Sequence, residues 1–269
     1  LKIAKLNNHP YLITSASTAQ PITNAADVLT ALTHRDTLTF GSEINFKPEQ
    51  LEAPVAASSQ IFAIGMNFLD HSQEIHIKLP KVPSVFTKFS SSLAGPTSTV
   101  PIHGPKTDWE TELVVLIGKG GRNITEADAL KHVAGFLVGE DFSDRAVQFA
   151  NAEPQFSLAK SFQNYSPIGP WVTSTDAITN LDQLQITTTV NGHVMQQAKL
   201  DQLIFKVPAL IHYLAGIVAL QPGDLIFTGT PSGTGVGRDP QIFLQPGDHV
   251  TAAISQLGAL NLTMATPQN

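Results

Sequence analysis

No cysteine occurs among the 269 residues, so disulfides and thiolate metal ligands are excluded, and any bound metal must be held by oxygen or imidazole. Long apolar runs are missing too. Nowhere do about 18 apolar residues follow one another, and positions 1–20 show no charged stretch leading into an apolar core, so a cytoplasmic protein with no membrane partner is expected. Charge is sparse: 14% of residues are charged, the formal net charge is -6, and Lys and Arg form no run, which argues against nucleic acid as a partner. A small anionic substrate remains compatible, because steering depends on local charge. In abundance are hydrophobic residues, at 42%, and turn formers, with 19 glycines and 18 prolines; together they describe a compact, strand-rich chain.

The alternation of side chains places a strand over Asp108 to Gly118. On one face stand Asp108, Glu110 and Glu112, continued by Val114 and Leu116; the other carries Trp109, Thr111, Leu113, Val115 and Ile117. Such a strand is covered on both sides and has its carboxylates at one end. Residues 1 to about 55 read as a small unit with a helical stripe at Ala26, Val28, Leu29 and Leu32, and the linker Ala53 to Ser59 separates it from a main domain over 56–269. In that domain, short strands alternate with turns. Thr125 to Asp128 offers a capping box for a helix reaching His132, and Asn191-Gly192 is a two-residue hairpin turn between Leu184–Val190 and His193–Met195. A helix over Val207–Val218 tolerates Pro208 in its first turn. The pentapeptide Leu-Gln-Pro-Gly-Asp at 220–224 and again at 244–248 reads as a repeated turn with positive φ at glycine. The expected class is α+β, rich in β, with few and short helices.

Glu110, Glu112 and Asp141 each sit at or near a predicted strand end. Solvated acids at strand ends and a carboxylate site for Mg2+ or Mn2+ both fit that spacing. His71 and Glu74, three apart, could form a base with its orienting carboxylate, or a solvated helix face. Asp141 and Arg145 would share a helix face at a spacing of four.

Several motifs agree in order: Glu-x-Glu at 110 and 112, Gly-x-Asp-x-Ser-x-Arg-x-x-Gln from Gly139 to Gln148, Lys160-Ser161-Phe162, Pro167-Ile168-Gly169-Pro170-Trp171, Val190-Asn191-Gly192 and Thr228-Gly229-Thr230-Pro231. From about Ile61 to Leu262 the chain resembles the fumarylacetoacetate hydrolase family, in particular its smaller bacterial and acylpyruvase-like members. The resemblance implies a mixed β-sandwich roll preceded by a small α/β extension, assembled as a homodimer. It also implies a divalent ion, Mg2+ or Mn2+ with Ca2+ able to take the same oxygens, on Glu110, Glu112 and Asp141. His71 and Glu74 would activate water, Lys160 would stabilise an oxyanion, and Arg145, Gln148 and Thr230 would contact a small anionic 2-oxo acid. Glu140 would face away from the metal. The chain departs from many relatives at Ser143-Asp144-Arg145-Ala146, at Ala159 and at Gln163, which leaves substrate choice open. The expected activity is metal-dependent hydrolysis of the C–C bond of 2,4-dioxo acids of acylpyruvate or fumarylpyruvate type. Alternatives on the same site are oxaloacetate decarboxylation and isomerisation, tautomerisation or hydration of dioic 2-oxo acids; a non-catalytic binding protein is the remaining one.

Overall fold

A computed structural model of the chain describes residues 1–55, 60–69 and 80–267. The acidic stretch lies in the middle of a large sheet. Its strand, Thr111–Ile117, pairs antiparallel with Val133–Glu140 on one side and with Leu225–Phe227 on the other. Beyond the first neighbour comes Ser166–Ser174, and beyond the second the parallel strand Ile61–Gly65, followed by Ser84–Lys88. A second sheet is built from His193–Lys199, Gln185–Val190, His249–Ile254, Gly258–Ala265 and Thr99–Pro101.

Period-two alternation sorts the central strand between two cores. Leu113, Val115 and Ile117 pack with Ile186, Val250, Ile254 and Leu262 of the second sheet, which makes the sandwich. Val114 and Leu116 point the other way, among Ile61, Ala63, Leu225, Phe227 and Val28 of the helix Val28–Thr33. Every residue of Thr111–Ile117 is buried, as a strand covered on both faces requires. The chain is β-rich with few helices, in mixed sheets.

Strand directions decide where the chemistry sits. Val133–Glu140 and Leu225–Phe227 both run against Thr111–Ile117, and Ile61–Gly65 runs with Leu225–Phe227. The amino end of the acidic strand therefore meets the carboxyl ends of three neighbours, bringing Glu110 and Glu112 level with Asp141, Gly229 and Met66. Gly139 lets these strands come together: a Cβ there would stand 2.4 Å from Val114 Cγ2 and 2.7 Å from Phe227 Cε1.

Residues 1–55 hydrogen-bond into the same large sheet, because Lys2–Leu6 pairs antiparallel with Ser166–Ser174. Part of the expected linker, 56–59, lies outside the described residues. Three local expectations differ from the structure. The acidic strand is interrupted: Thr107–Asp108 pairs separately with Ser143–Asp144, and the ladder resumes at Thr111. Side chains take over from ladder carbonyls there, since the Asp108 carboxylate accepts the N–H of Trp109 and the Glu140 carboxylate accepts that of Glu110. In place of an α-helix after Thr125 there is a short 3-10 turn, Ala129–His132. Asp141 and Arg145 are not partners, because the helix Arg145–Gln148 begins only at Arg145, with Asp144 as its N-cap. The hairpin forms as expected, with φ of 51° at Asn191 and 79° at Gly192. Both Leu-Gln-Pro-Gly-Asp turns carry a glycine at φ 94°.

Candidate metal and substrate site

Glu110, Glu112 and Asp141 converge so that one carboxylate oxygen from each lies within 4.8 Å of the others. Glu110 is only 9% exposed, and Glu112 and Asp141 are buried more deeply. Three buried cations are interleaved with these acids. Lys160 Nζ donates to Glu110 Oε2 at 2.7 Å, Asp141 Oδ2 at 2.8 Å and Ser143 Oγ at 2.8 Å. Arg145 donates from Nε to Asp108 at 2.8 Å, from Nη2 to Glu110 Oε1 at 2.6 Å and from Nη1 to Gln148 Oε1 at 2.8 Å. Lys88 pairs with the other oxygen of Asp141 and donates to the carbonyls of Lys160 and Tyr165.

The electrostatics are unequal among the acids. Burial alone would raise the pKa of Glu110, yet Lys160 and Arg145 pull it down to about 2. Glu112 goes the other way. Burial pushes its carboxyl well above the ordinary value, and Asp141 and Glu110 add to the shift, while the N–H of Gly229 at 2.7 Å offsets only part. Burial raises Glu140 to about 8, against the hydrogen bonds from Thr111 Oγ1 and from the N–H of Glu110. Burial also lowers Lys88, despite Asp141 beside it. Lys160 keeps a raised pKa because the Asp141 and Glu110 carboxylates outweigh its own burial.

These residues fit a divalent cation. Buried carboxylates that repel one another, one of them resisting ionisation, are stabilised by a hard ion with oxygen ligands. Each carboxylate oxygen has two lone pairs, so the contacts with Lys160, Arg145 and Lys88 leave acceptor capacity on Glu110 and Asp141. Glu140, outside that group, accepts hydrogen bonds from the N–H of Glu110 and the hydroxyl of Thr111.

Alongside the acids opens a cavity of about 370 Å3 lined by Glu110, Glu112, Arg145, Gln148, Lys160 and Thr230, and by Ile64, Phe86, Phe149, Pro154, Phe156 and Val236. Thr230 sits on the loop after Leu225–Phe227, where its hydroxyl donates to the carbonyl of Thr111 at 2.8 Å and accepts from Gln196 Nε2 at 2.9 Å. Asp108 ties the same loop down by accepting the N–H groups of Gly235 at 2.6 Å and Val236 at 3.0 Å.

Seven of the nine expected site residues thus surround one cavity or its acidic cluster. His71 and Glu74 lie outside the described residues. Sequence reasoning missed Lys88 and Gln196. Lys88 had a readable signal, a charged residue on the same strand face as Phe86, whereas Gln196 had none, because its role comes from a contact between sheets.

The fold and site together are those of a β-rich roll in which a buried carboxylate group that could hold a metal ion, with an adjoining lysine, stands beside a cavity. Residues 60–265 match the family described as Fumarylacetoacetate (FAA) hydrolase C-terminal, and the chain belongs to that family. It is 41% identical over 210 residues to the human mitochondrial oxaloacetate tautomerase FAHD2A, covering 77% of this chain and 67% of that protein. The Xenopus laevis oxaloacetate tautomerase fahd2 is also 41% identical, over 213 residues, covering 78% of this chain and 67% of that one. Among solved structures, a Mycobacterium smegmatis protein with a provisional HpcE assignment superposes with a TM-score of 0.91 at 38% identity, over 100% of both chains. The fumarylacetoacetate hydrolase of Exiguobacterium antarcticum gives 0.85 at 25% identity, over 99% of both. The family and the geometry support an enzyme that uses small acid substrates and can hold a divalent metal on its buried acids.

Proposed function

We propose that the protein interconverts the keto and enol forms of a short 2-oxo acid, with oxaloacetate as the first substrate to test. The observation that carries this reading is the acidic group with Lys160 at the cavity wall, in a chain 41% identical to oxaloacetate tautomerases. A divalent ion on Glu110, Glu112 and Asp141 would polarise the 2-oxo group of the bound acid. Lys160, kept charged by Asp141 and Glu110, would stabilise the negative charge that collects on the enolate oxygen. Arg145 acts through Glu110 and Gln148, since its guanidinium is committed to Asp108, Glu110 and Gln148. That leaves the Nε2 amide of Gln148 as a neutral donor for the substrate's tail. His71 and Glu74 are assigned the proton transfer at C3, where loss of a proton forms the C2–C3 double bond and its return restores the ketone.

Hydrolysis of 2,4-dioxo acids is the second reading, supported by the likeness to the Exiguobacterium hydrolase and by a cavity with an apolar side. In that reading His71 and Glu74 activate water instead. The test is one panel with Mg2+ or Mn2+ and with chelator: enol-oxaloacetate followed by ultraviolet absorbance and by malate dehydrogenase with NADH, acetylpyruvate hydrolysis, and carbon dioxide release from oxaloacetate. Metal-dependent ketonisation, lost in Asp141→Asn and without carbon dioxide release, supports the tautomerase. Acetylpyruvate cleavage as the sole turnover would replace it with the hydrolase, and carbon dioxide release as the sole turnover with a decarboxylase. The reading includes a homodimer, which light scattering checks.

A further inference from the structure

We propose that the cavity accepts 2-oxo acids carrying an aromatic ring on C3, so that the protein interconverts the keto and enol forms of arylpyruvates as well. This rests on the reading above, in which the acidic group engages a 2-oxo acid head. The first observation concerns charge. Among the described residues, Arg145 and Lys160 are the cations lining the cavity, and each donates to two buried carboxylates. A tail carboxylate would compete with those buried acids for either cation, whereas a neutral tail would not. Thr230 is committed as well, its proton held by the carbonyl of Thr111. Among the described residues, the wall offers such a tail a neutral donor, the Nε2 amide of Gln148.

The second observation is the aromatic part of the lining. Phe86 and Phe156 stack with centroids 5.3 Å apart at 27°, the Phe86 ring centroid lies 5.3 Å from Lys160 Nζ, and Phe149, 50% exposed, lines the same cavity. The half-exposed Phe149 ring leaves area that a flat apolar group would remove from water. At about 370 Å3 the cavity falls in the range of small-ligand sites, with room for a ring beside the acid head. The chemistry at C3 is unchanged: one proton leaves carbon, the double bond forms towards C2, and oxygen takes a proton.

The experiment uses the Mg2+-loaded protein with phenylpyruvate and oxaloacetate, each supplied as the enol and followed by loss of ultraviolet absorbance, together with calorimetric binding of phenylpyruvate. Wild type is compared with Phe156→Ala and with Phe149→Ala, whose exposed position spares the fold. Phenylpyruvate is expected to be ketonised, and the ratio of its kcat/KM to that of oxaloacetate should fall about fivefold in either variant, the size of one aromatic contact. Oxaloacetate turnover with neither turnover nor binding of phenylpyruvate would overturn the inference and leave the tautomerase intact. An unchanged ratio in both variants would overturn it too. If neither acid is turned over, the proposed function fails, and calorimetry still decides the pocket: phenylpyruvate binding weakened by Phe149→Ala supports an aryl site, and absent binding overturns it.

Discussion

Replacing Lys160 by methionine removes the ammonium from the centre of the acidic group while keeping most of the apolar stem. The ammonium makes three bonds, to Glu110 at 2.7 Å, to Asp141 at 2.8 Å and to Ser143 at 2.8 Å, with its side chain 2% exposed. Only one partner is lost in Lys160→Met, so Glu110 and Asp141 remain buried with less positive charge. Breaking a buried pair in that way costs about 3–5 kcal/mol. For a chain of this size each kcal/mol moves the melting temperature by about 2–4 °C, so the metal-free variant should melt roughly 6–20 °C below wild type. A divalent ion at about 100 times its Kd stabilises a protein by about 2.7 kcal/mol. The variant should gain more than wild type at equal ion concentration, because its carboxylates carry more uncompensated charge. Differential scanning fluorimetry with chelator and with a Mg2+ series measures both effects. An unchanged melting temperature in chelator would mean that desolvation of the ammonium cancels its ion pairs, and the electrostatic reasoning would fail. A smaller Mg2+ gain in the variant would refute the placement of the ion on these acids.

Further outcomes are expected elsewhere. Gln196 Nε2 donates to Thr230 Oγ1 and to the carbonyl of Pro231 at 2.7 Å, so Gln196→Met and Thr230→Val should each lower kcat/KM about tenfold, with the double variant no worse than the poorer single one; additive losses in the cycle would separate the two residues. Gly229 has φ 100°, and a Cβ there would lie 2.8 Å from that of Asn67, itself held by the carbonyls of Thr228 and Phe205. Gly229→Ala should therefore cost about 1–3 kcal/mol in chemical denaturation, and a cost near zero would show that the loop can shift. Burial raises the pKa of Asp224, against hydrogen bonds from Gln221 and Gln60. The folded state thus holds that proton more tightly than the unfolded chain. This contribution to stability is present below the ordinary carboxyl pKa and is lost as pH rises through the folded value. Urea midpoints of Asp224→Asn should fall less than those of wild type over that window, and parallel profiles would contradict the assignment.

Local patterns carried much of the fold and of the site's chemistry. Alternation at Leu113 to Ile117 sorts side chains between two cores, Asn191-Gly192 turns a hairpin, and Pro-Gly-Asp makes the same turn twice, because each depends on neighbours in the chain. Charge balance was less legible. Lys88 meets Asp141 across 53 residues and Gln196 meets Thr111 across 85, and such pairs follow from the order of strands, which alternation does not encode. Arg145 shows how a sound local rule goes wrong. The spacing of four would pair it with Asp141 on a helix, but the helix starts at Arg145, so its guanidinium reaches Asp108 and Glu110 at the interruption of the acidic strand. Asp141 is then left to Lys88 and Lys160, two cations brought in from separate segments. The acids were picked out by the family motifs, since their spacing alone fits solvated strand ends as well, and the structure brings the three together. The cations that restrain them were harder to find, since any lysine or arginine brought there by the strand order could balance the same charge.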